Sequence, residues 1–143
     1  MDNIINIKSM LCTAIGCLGS LVASAFGGWD AGLITLILVM AADYITGLLV
    51  AGVFHTSEKT ESGGLESRAG WKGLCRKGVT LLIVLIAQRI DIVAGTSVVR
   101  DAVVIAYIVN EAISITENAG LMGVPVPDKL IAAIDVLQGK DGR

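Results

Sequence analysis

The stretch that decides the fold is Ala31–Phe54, AGLITLILVMAADYITGLLVAGVF, a long apolar run with a single charge, Asp43, near its middle. A helix rises ~1.5 Å per residue and ~20 predominantly apolar residues cross a bilayer, so the stretch is long enough to span. A carboxylate at mid-membrane costs ~2.5–3.5 kcal/mol on insertion scales, and it normally turns toward protein or water rather than lipid. Thr46, Gly47 and Ala51 follow Asp43 one and two turns on, along the same helix face. The reading is a membrane helix with a small, polar stripe that requires a partner or a wet lumen.

Composition agrees. The 143 residues are enough for one domain, taken as 1–143. They are 54% hydrophobic but only 4% aromatic and 17% charged, with a mean hydropathy of +0.75. A soluble core of this size normally carries more aromatic and more charged residues. There are 17 glycines, a residue more frequent in membrane helices, where it lets backbones approach closely. The net charge of -2 leaves no footprint for nucleic acid. Cys12, Cys17, Cys75 and the single His55 make no metal pattern, and an odd cysteine count argues against a disulfide framework. There is no nucleophile–base pair and no phosphate loop, so neither catalytic residues nor a cofactor are expected.

Upstream, Ser9–Trp29 is a second long run without a charge. It predicts a first helix over about 9–28. Gly16, Ser20 and Ser24 recur every four residues with Thr13 and Gly27 close to their face, a ladder that reads as a close helix contact. Ala23-Ser24-Ala25 resembles a signal-peptide cleavage site, but the lead before it is barely positive, and a retained helix is expected. Gly27–Asp30 leaves room only for a tight connection, which predicts an antiparallel hairpin with Trp29 at the membrane interface.

Downstream, 55–77 is the one long polar stretch. It sets Lys59, Arg68, Lys72, Arg76 and Lys77 against Glu58, Glu61 and Glu66, which marks it as a cytoplasmic loop. A third apolar run, 78–93, ends in Gln88, Arg89 and Asp91, and is short for a span unless Arg89 snorkels outward. A fourth helix, about 100–118, sets Tyr107, Asn110, Glu111, Ser114, Glu117 and Asn118 opposite Val104, Ile105, Ile108 and Val109. It either spans with its polar face inward or lies in the interface. A tail helix over 128–138 carries Leu130, Ile131, Ile134 and Leu137 at helical spacing, with Asp128 as its cap. The expected fold is all-α: a small polytopic membrane protein of three to four transmembrane helices plus a short C-terminal amphipathic helix. Four crossings put both termini beside the basic loop. Intrachain candidates to satisfy Asp43 are Arg89, Gln88 and Asn110; the alternative is a partner subunit or a lumen.

Three segments carry a resemblance. Asp43-Tyr-Ile-Thr46-Gly47, the Ser67–Lys77 run S-x-x-G-W-K-G-L-x-R-K, and Asn110–Gly120 followed by Gly-Val-Pro125-Val-Pro127-Asp-Lys-Leu130 resemble the toxin-secretion and phage-lysis holin family. The likeness covers about Leu33 to Leu130. It implies a bacteriophage-type membrane protein that accumulates in the bacterial inner membrane and oligomerises at a set time. The hole then releases a cytoplasmic endolysin, with host cell lysis, or a large toxin. The implied partners are the lipid bilayer, other copies of the chain and that cargo. The residues expected to face an oligomer contact or lumen are Asp43, Thr46, Gly47, Asn110, Glu111, Ser114 and Glu117, with Gly16, Ser20 and Ser24 packing helices. A small oligomeric ion channel or transporter subunit without a lytic role is the alternative.

Overall fold

Asp30 starts the second helix of the structure, a computed structural model that describes residues 2–137. Its backbone is extended and its side chain accepts from the Leu33 amide at 2.8 Å, an N-cap of the common kind. Five helices follow the chain: α1 Asp2–Ala25, α2 Ala31–Leu49, α3 Ser67–Ala94, α4 Val98–Leu121 and α5 Asp128–Leu137. A π-helical turn, Val50–Phe54, extends α2, and His55 ends it in the left-handed region at φ 53°. The all-helical expectation holds, with no strand among the described residues.

Helices α2, α3 and α4 form the bundle. The start of α2 meets the start of α4 through Asp30 and Arg100, and Thr56, just beyond α2, donates to the Leu121 carbonyl at the end of α4. The two therefore run parallel, with α3 antiparallel to both. Each contributes one stripe at three- and four-residue spacing. Leu33, Leu36 and Met40 of α2, Val84 of α3 and Val104 of α4 make the apolar core, with Phe26, Leu81 and Tyr107 against it. Leu36 and Val84 are completely buried.

Several boundaries differ from the sequence reading. Helix α3 begins at Ser67, so the polar loop is 55–66 and the basic residues from Arg68 to Lys77 are helical. Apolarity marked only the part of α3 that follows those charges. Asp128 is the first helical residue of α5 rather than its cap, since Leu130 and Ile131 donate to the Pro127 carbonyl. Residue 138 lies outside the described residues.

By length and composition two helical stretches can cross a membrane, Ile4–Ala25 and Ala31–Phe54, rather than three to four. Helix α3 carries Arg68, Lys72, Arg76, Lys77, Arg89 and Asp91, and α4 carries Arg100, Asp101, Glu111 and Glu117. The expected hairpin does not close either. Helix α1 stands away from the bundle, with Ala23 its one buried residue among residues 4–25. It is tied at its C-terminal end, where Arg89 Nη2 donates to the Ala25 carbonyl at 3.0 Å and Gln88 lies against Gly27. Gly27 is at φ 87°, and a Cβ there would lie 2.6 Å from the Gln88 side chain, so this turn is built for glycine.

The short α3–α4 connection is closed by one buried carboxylate. Asp91 accepts from Thr96 Oγ1 at 2.5 Å and from the amides of Val99 at 3.1 Å and Arg100 at 2.7 Å. It caps α4 from the preceding helix, a service that Ser97 at the N-cap position does not perform. Asp91→Ala is expected to speed hydrogen exchange at Val99 and Arg100 selectively, with Asp91→Asn milder. Unchanged exchange at those two amides would remove the capping role.

Candidate functional site

Above the apolar core the three stripes turn polar at one level. On α2, Asp43 lies one turn beyond Met40. On α3, Lys77 lies on the stripe of Val84, Ala87 and Asp91. On α4, Glu111 follows Val104 by two turns. Lys77 Nζ lies 2.8 Å from Asp43 Oδ2 and 2.6 Å from Glu111 Oε2, and the three side chains are only 14%, 12% and 8% exposed. One ammonium thus bridges two carboxylates and three helices. Asn118, one turn from the end of α4 and also buried, donates to Asp43 Oδ1 at 3.2 Å and to Thr46 Oγ1 at 2.9 Å. Thr46 donates in turn to the Asp43 carbonyl at 3.0 Å. Gly47 leaves room here: a Cβ on it would meet Asn118 Nδ2 at 3.9 Å.

The partners of Asp43 are therefore Lys77 and Asn118, not Arg89, Gln88 or Asn110. The register of the antiparallel α3 is the cause. Arg89 and Gln88 lie about three turns further along, beside the end of α1. Asn110 is exposed on the rim of a cavity of about 910 Å³, which Asp43, Gly47, Lys77, Glu111 and Ser114 also line. Glu117 is exposed and lines a separate hollow of about 570 Å³ with Glu58 and Lys59. Of the expected residues, the fold thus gathers Asp43, Thr46, Gly47, Glu111 and Ser114, and leaves Asn110 and Glu117 outside the hydrogen-bonded cluster. Gly16, Ser20 and Ser24 are exposed on α1, and nothing among the described residues lies within 4 Å of a Cβ placed on Gly16. Sequence reasoning missed Lys77, which it placed in the loop, and left Asn118, which it read only as part of the polar face of its helix, off the expected site. Gly73, Lys77, Thr80, Val84, Ala87 and Asp91 share one helix face, and that spacing was readable.

A second charged group closes the opposite end of the bundle. Arg100 is buried at 6% exposure, and its Nη1 lies 2.5 Å from Asp30 Oδ2 and 3.4 Å from Asp101 Oδ1. Its Nε and Nη2 are buried without a hydrogen-bond partner among the described residues. The described residues hold no cluster of His, Cys, Asp or Glu suited to a metal ion.

What this arrangement belongs to is decided by comparison with known proteins. The bacteriophage holin family model matches residues 20–139. This chain belongs to the bacteriophage holin family. Among its relatives, a probable holin of Bacillus phage phi105 is 33% identical over 124 residues, covering 85% of this chain and 86% of that protein. An uncharacterised 14.9 kDa protein encoded in the nagH 3' region of Clostridium perfringens is 37% identical over 142 residues, covering 98% of this chain and 99% of that protein. An uncharacterised protein of Listeria monocytogenes is 38% identical over 126 residues, covering 87% and 84%. No solved structure matches the chain. In this holin-family chain the matched region takes in α2, α3 and α4 complete and the last turns of α1. The ion cluster therefore lies inside the family match, and most of α1 lies outside it.

Proposed function

We propose that the chain is a working holin: it inserts in the bacterial cytoplasmic membrane, assembles with copies of itself and permeabilises that membrane to a cytoplasmic endolysin or a large toxin. The observation that carries this reading is the family match over the whole three-helix bundle, with a probable phage holin aligned over most of both chains. In this reading α1 and α2 cross by their own apolarity. Helices α3 and α4 accompany α2, with Lys77 and Glu111 turned inward at the level of Asp43 and Arg100 turned onto Asp30, so that these charges are withheld from lipid. The loop 55–66 and the basic start of α3 then face the cytoplasm.

Helix α1 supports the assembly step. Its Gly16, Ser20 and Ser24 are exposed, and none of the described residues comes within 4 Å of a Cβ placed on Gly16. Such a small-residue ladder lets helices of two copies approach closely. Gly16→Leu with Ser20→Leu is expected to delay or abolish lysis while the protein still accumulates in membranes, checked by crosslinking for oligomers alongside culture turbidity. A small ion-conducting assembly is the second reading, favoured by the polar cavity beside Asp43.

The deciding experiment induces the protein in bacteria with and without a cytoplasmic wall-degrading enzyme, following membrane potential and turbidity. Sudden depolarisation, with lysis only when the enzyme is present, is the expected result. Depolarisation without lysis in the presence of the enzyme would point to the ion-conducting assembly, and no change in either trace would overturn both.

A further inference from the structure

The cavity of about 910 Å³ is walled by α2, the start of α3, the loop 55–66 and the middle of α4, and the chemistry of its walls is uneven. Its partly buried wall holds Asp43, Lys77 and Glu111, where the lysine charge is already committed to the two carboxylates. Its exposed rim holds Lys59, Arg68, Lys72 and Arg76. The last three recur every fourth residue along one face of α3, a row of ~12 Å at helical rise, and Lys59 faces the same space from the loop. None of the four pairs with a carboxylate within 4.0 Å among the described residues, whose ion pairs all involve Lys77 or Arg100. Glu61 and Glu66 share the rim, and Glu66 accepts from Ser62 Oγ at 3.0 Å. The rim therefore has an excess of positive charge, free to meet an anion.

The remaining walls say which anion. Leu48, Ala51 and Leu65 line the same space, and Leu65 is 62% exposed. Tyr44 also lines it, its ring lying over two glycines of α3. A Cβ on Gly70 would come within 3.6 Å of the Tyr44 hydroxyl, and one on Gly73 within 3.9 Å of the ring. The cavity reaches the last turns of the apolar stretch Ala31–Phe54. A basic rim beside an apolar wall, where a span meets water, fits an amphiphilic anion better than a free one.

We propose that this cleft is a binding site for an anionic phospholipid, with the headgroup phosphate held by Arg68, Lys72, Arg76 and Lys59 and the acyl region against Leu48 and Leu65. The proposal rests on the membrane placement of α2 given above. The buried carboxylates behind the rim repel the phosphate and fix its depth at the rim.

The test uses the full chain purified in dodecyl maltoside, with bound lipid counted by native mass spectrometry. It is titrated with phosphatidylglycerol, with phosphatidylcholine of the same chain length and with inorganic phosphate. One phosphatidylglycerol per protomer is expected, preferred about tenfold or more over phosphatidylcholine, with inorganic phosphate a poor competitor. Arg68→Glu with Arg76→Glu is expected to bring the preference close to one, and Lys8→Glu, a basic residue on α1 away from the cleft, to leave it unchanged. Lys59→Glu, on the exposed loop, gives the same reading if the double variant does not fold. Equal binding of the two lipids, or a preference that survives charge reversal, overturns the proposal. Phosphate binding as tight as lipid binding overturns the lipid assignment. Carbonate extraction of native membranes tests the membrane placement separately: a chain retained there that shows no lipid preference in detergent sinks the cleft alone.

Discussion

Lys77→Met is expected to be the most damaging single substitution in the bundle. It removes the ammonium that lies within 2.8 Å of two carboxylates and leaves Asp43 and Glu111, 12% and 8% exposed, facing each other without a cation. Removing one partner of a buried pair costs about 3–5 kcal/mol, against a total stability of about 5–15 kcal/mol for a typical domain. The melting midpoint of the purified protein in detergent is expected to fall by roughly 10 °C or more, and accumulation in membranes to fall with it. The test of cause is the neutral set, Asp43→Asn, Lys77→Met and Glu111→Gln together. Exchanging a whole buried ion network for uncharged groups is often close to neutral, because the desolvation cost disappears along with the attraction. Asn118 can still donate to the amide oxygen of an asparagine at 43, so its hydrogen bond survives. The triple variant is therefore expected to regain most of the loss. A triple variant as unstable as Lys77→Met would mean that the cluster holds the helices by its particular hydrogen bonds, not by balanced charge.

That cluster also shows where the sequence was legible and where it was not. Ala31–Phe54 declared itself, because a long apolar run has few readings, and its isolated carboxylate announced the need for a partner. The resemblance to the holin family was legible in three short segments, and each carries part of the cluster: Asp43 and Thr46 in the first, Lys77 at the end of the second, Glu111 and Asn118 in the third. The partner itself was not legible, because an apolar run marks the part of a helix that faces lipid or core and stops at its charges. Lys77 was read as loop for that reason, although α3 starts well before it, at Ser67. Helix register was the second obstacle. With Asp30, Asp91 and Arg100 gathered at one end, Asp43 on α2, Lys77 on α3 and Glu111 on α4 each stand a similar distance along their own helix from that end. Those near-equal distances put the three at one level, but only once the far end is known to be pinned. The ladder Gly16, Ser20, Ser24 failed differently. Small residues state that a close contact is possible without naming the helix that makes it, and among the described residues these three stay exposed.

The pin at that far end leads to the second large effect. Asp30→Ala is expected to destabilise the bundle by about 2–4 kcal/mol, since one side chain does two jobs. Oδ1 caps α2 through the Leu33 amide, a bond worth about 0.5–2 kcal/mol in such positions. Oδ2 meets Arg100, whose side chain is 7% exposed and whose Nε and Nη2 already lack partners. Without Asp30 the guanidinium keeps only Asp101, at 3.4 Å. Because Asp30 is itself 47% exposed, solvent screens the pair and its share falls at the low end of the range for buried pairs. Two variants separate the jobs. Asp30→Asn keeps a capping oxygen and loses the charge. Asp30→Ala with Arg100→Met removes the stranded guanidinium and is expected to cost only the cap, about 1 kcal/mol. Acid provides an independent check. The hydrogen bond from Arg100 is the main influence on the Asp30 carboxyl and, against the opposing effect of burial, holds it below its ordinary 3.8. The stabilisation it contributes is therefore fully present above pH 3.8 and disappears as the pH falls through the lower folded value. Melting midpoints measured down through this window are expected to converge between wild type and Asp30→Asn at the acid end. A gap that stays constant as the carboxyl titrates would show that the ion pair contributes nothing and that the cap accounts for the whole effect.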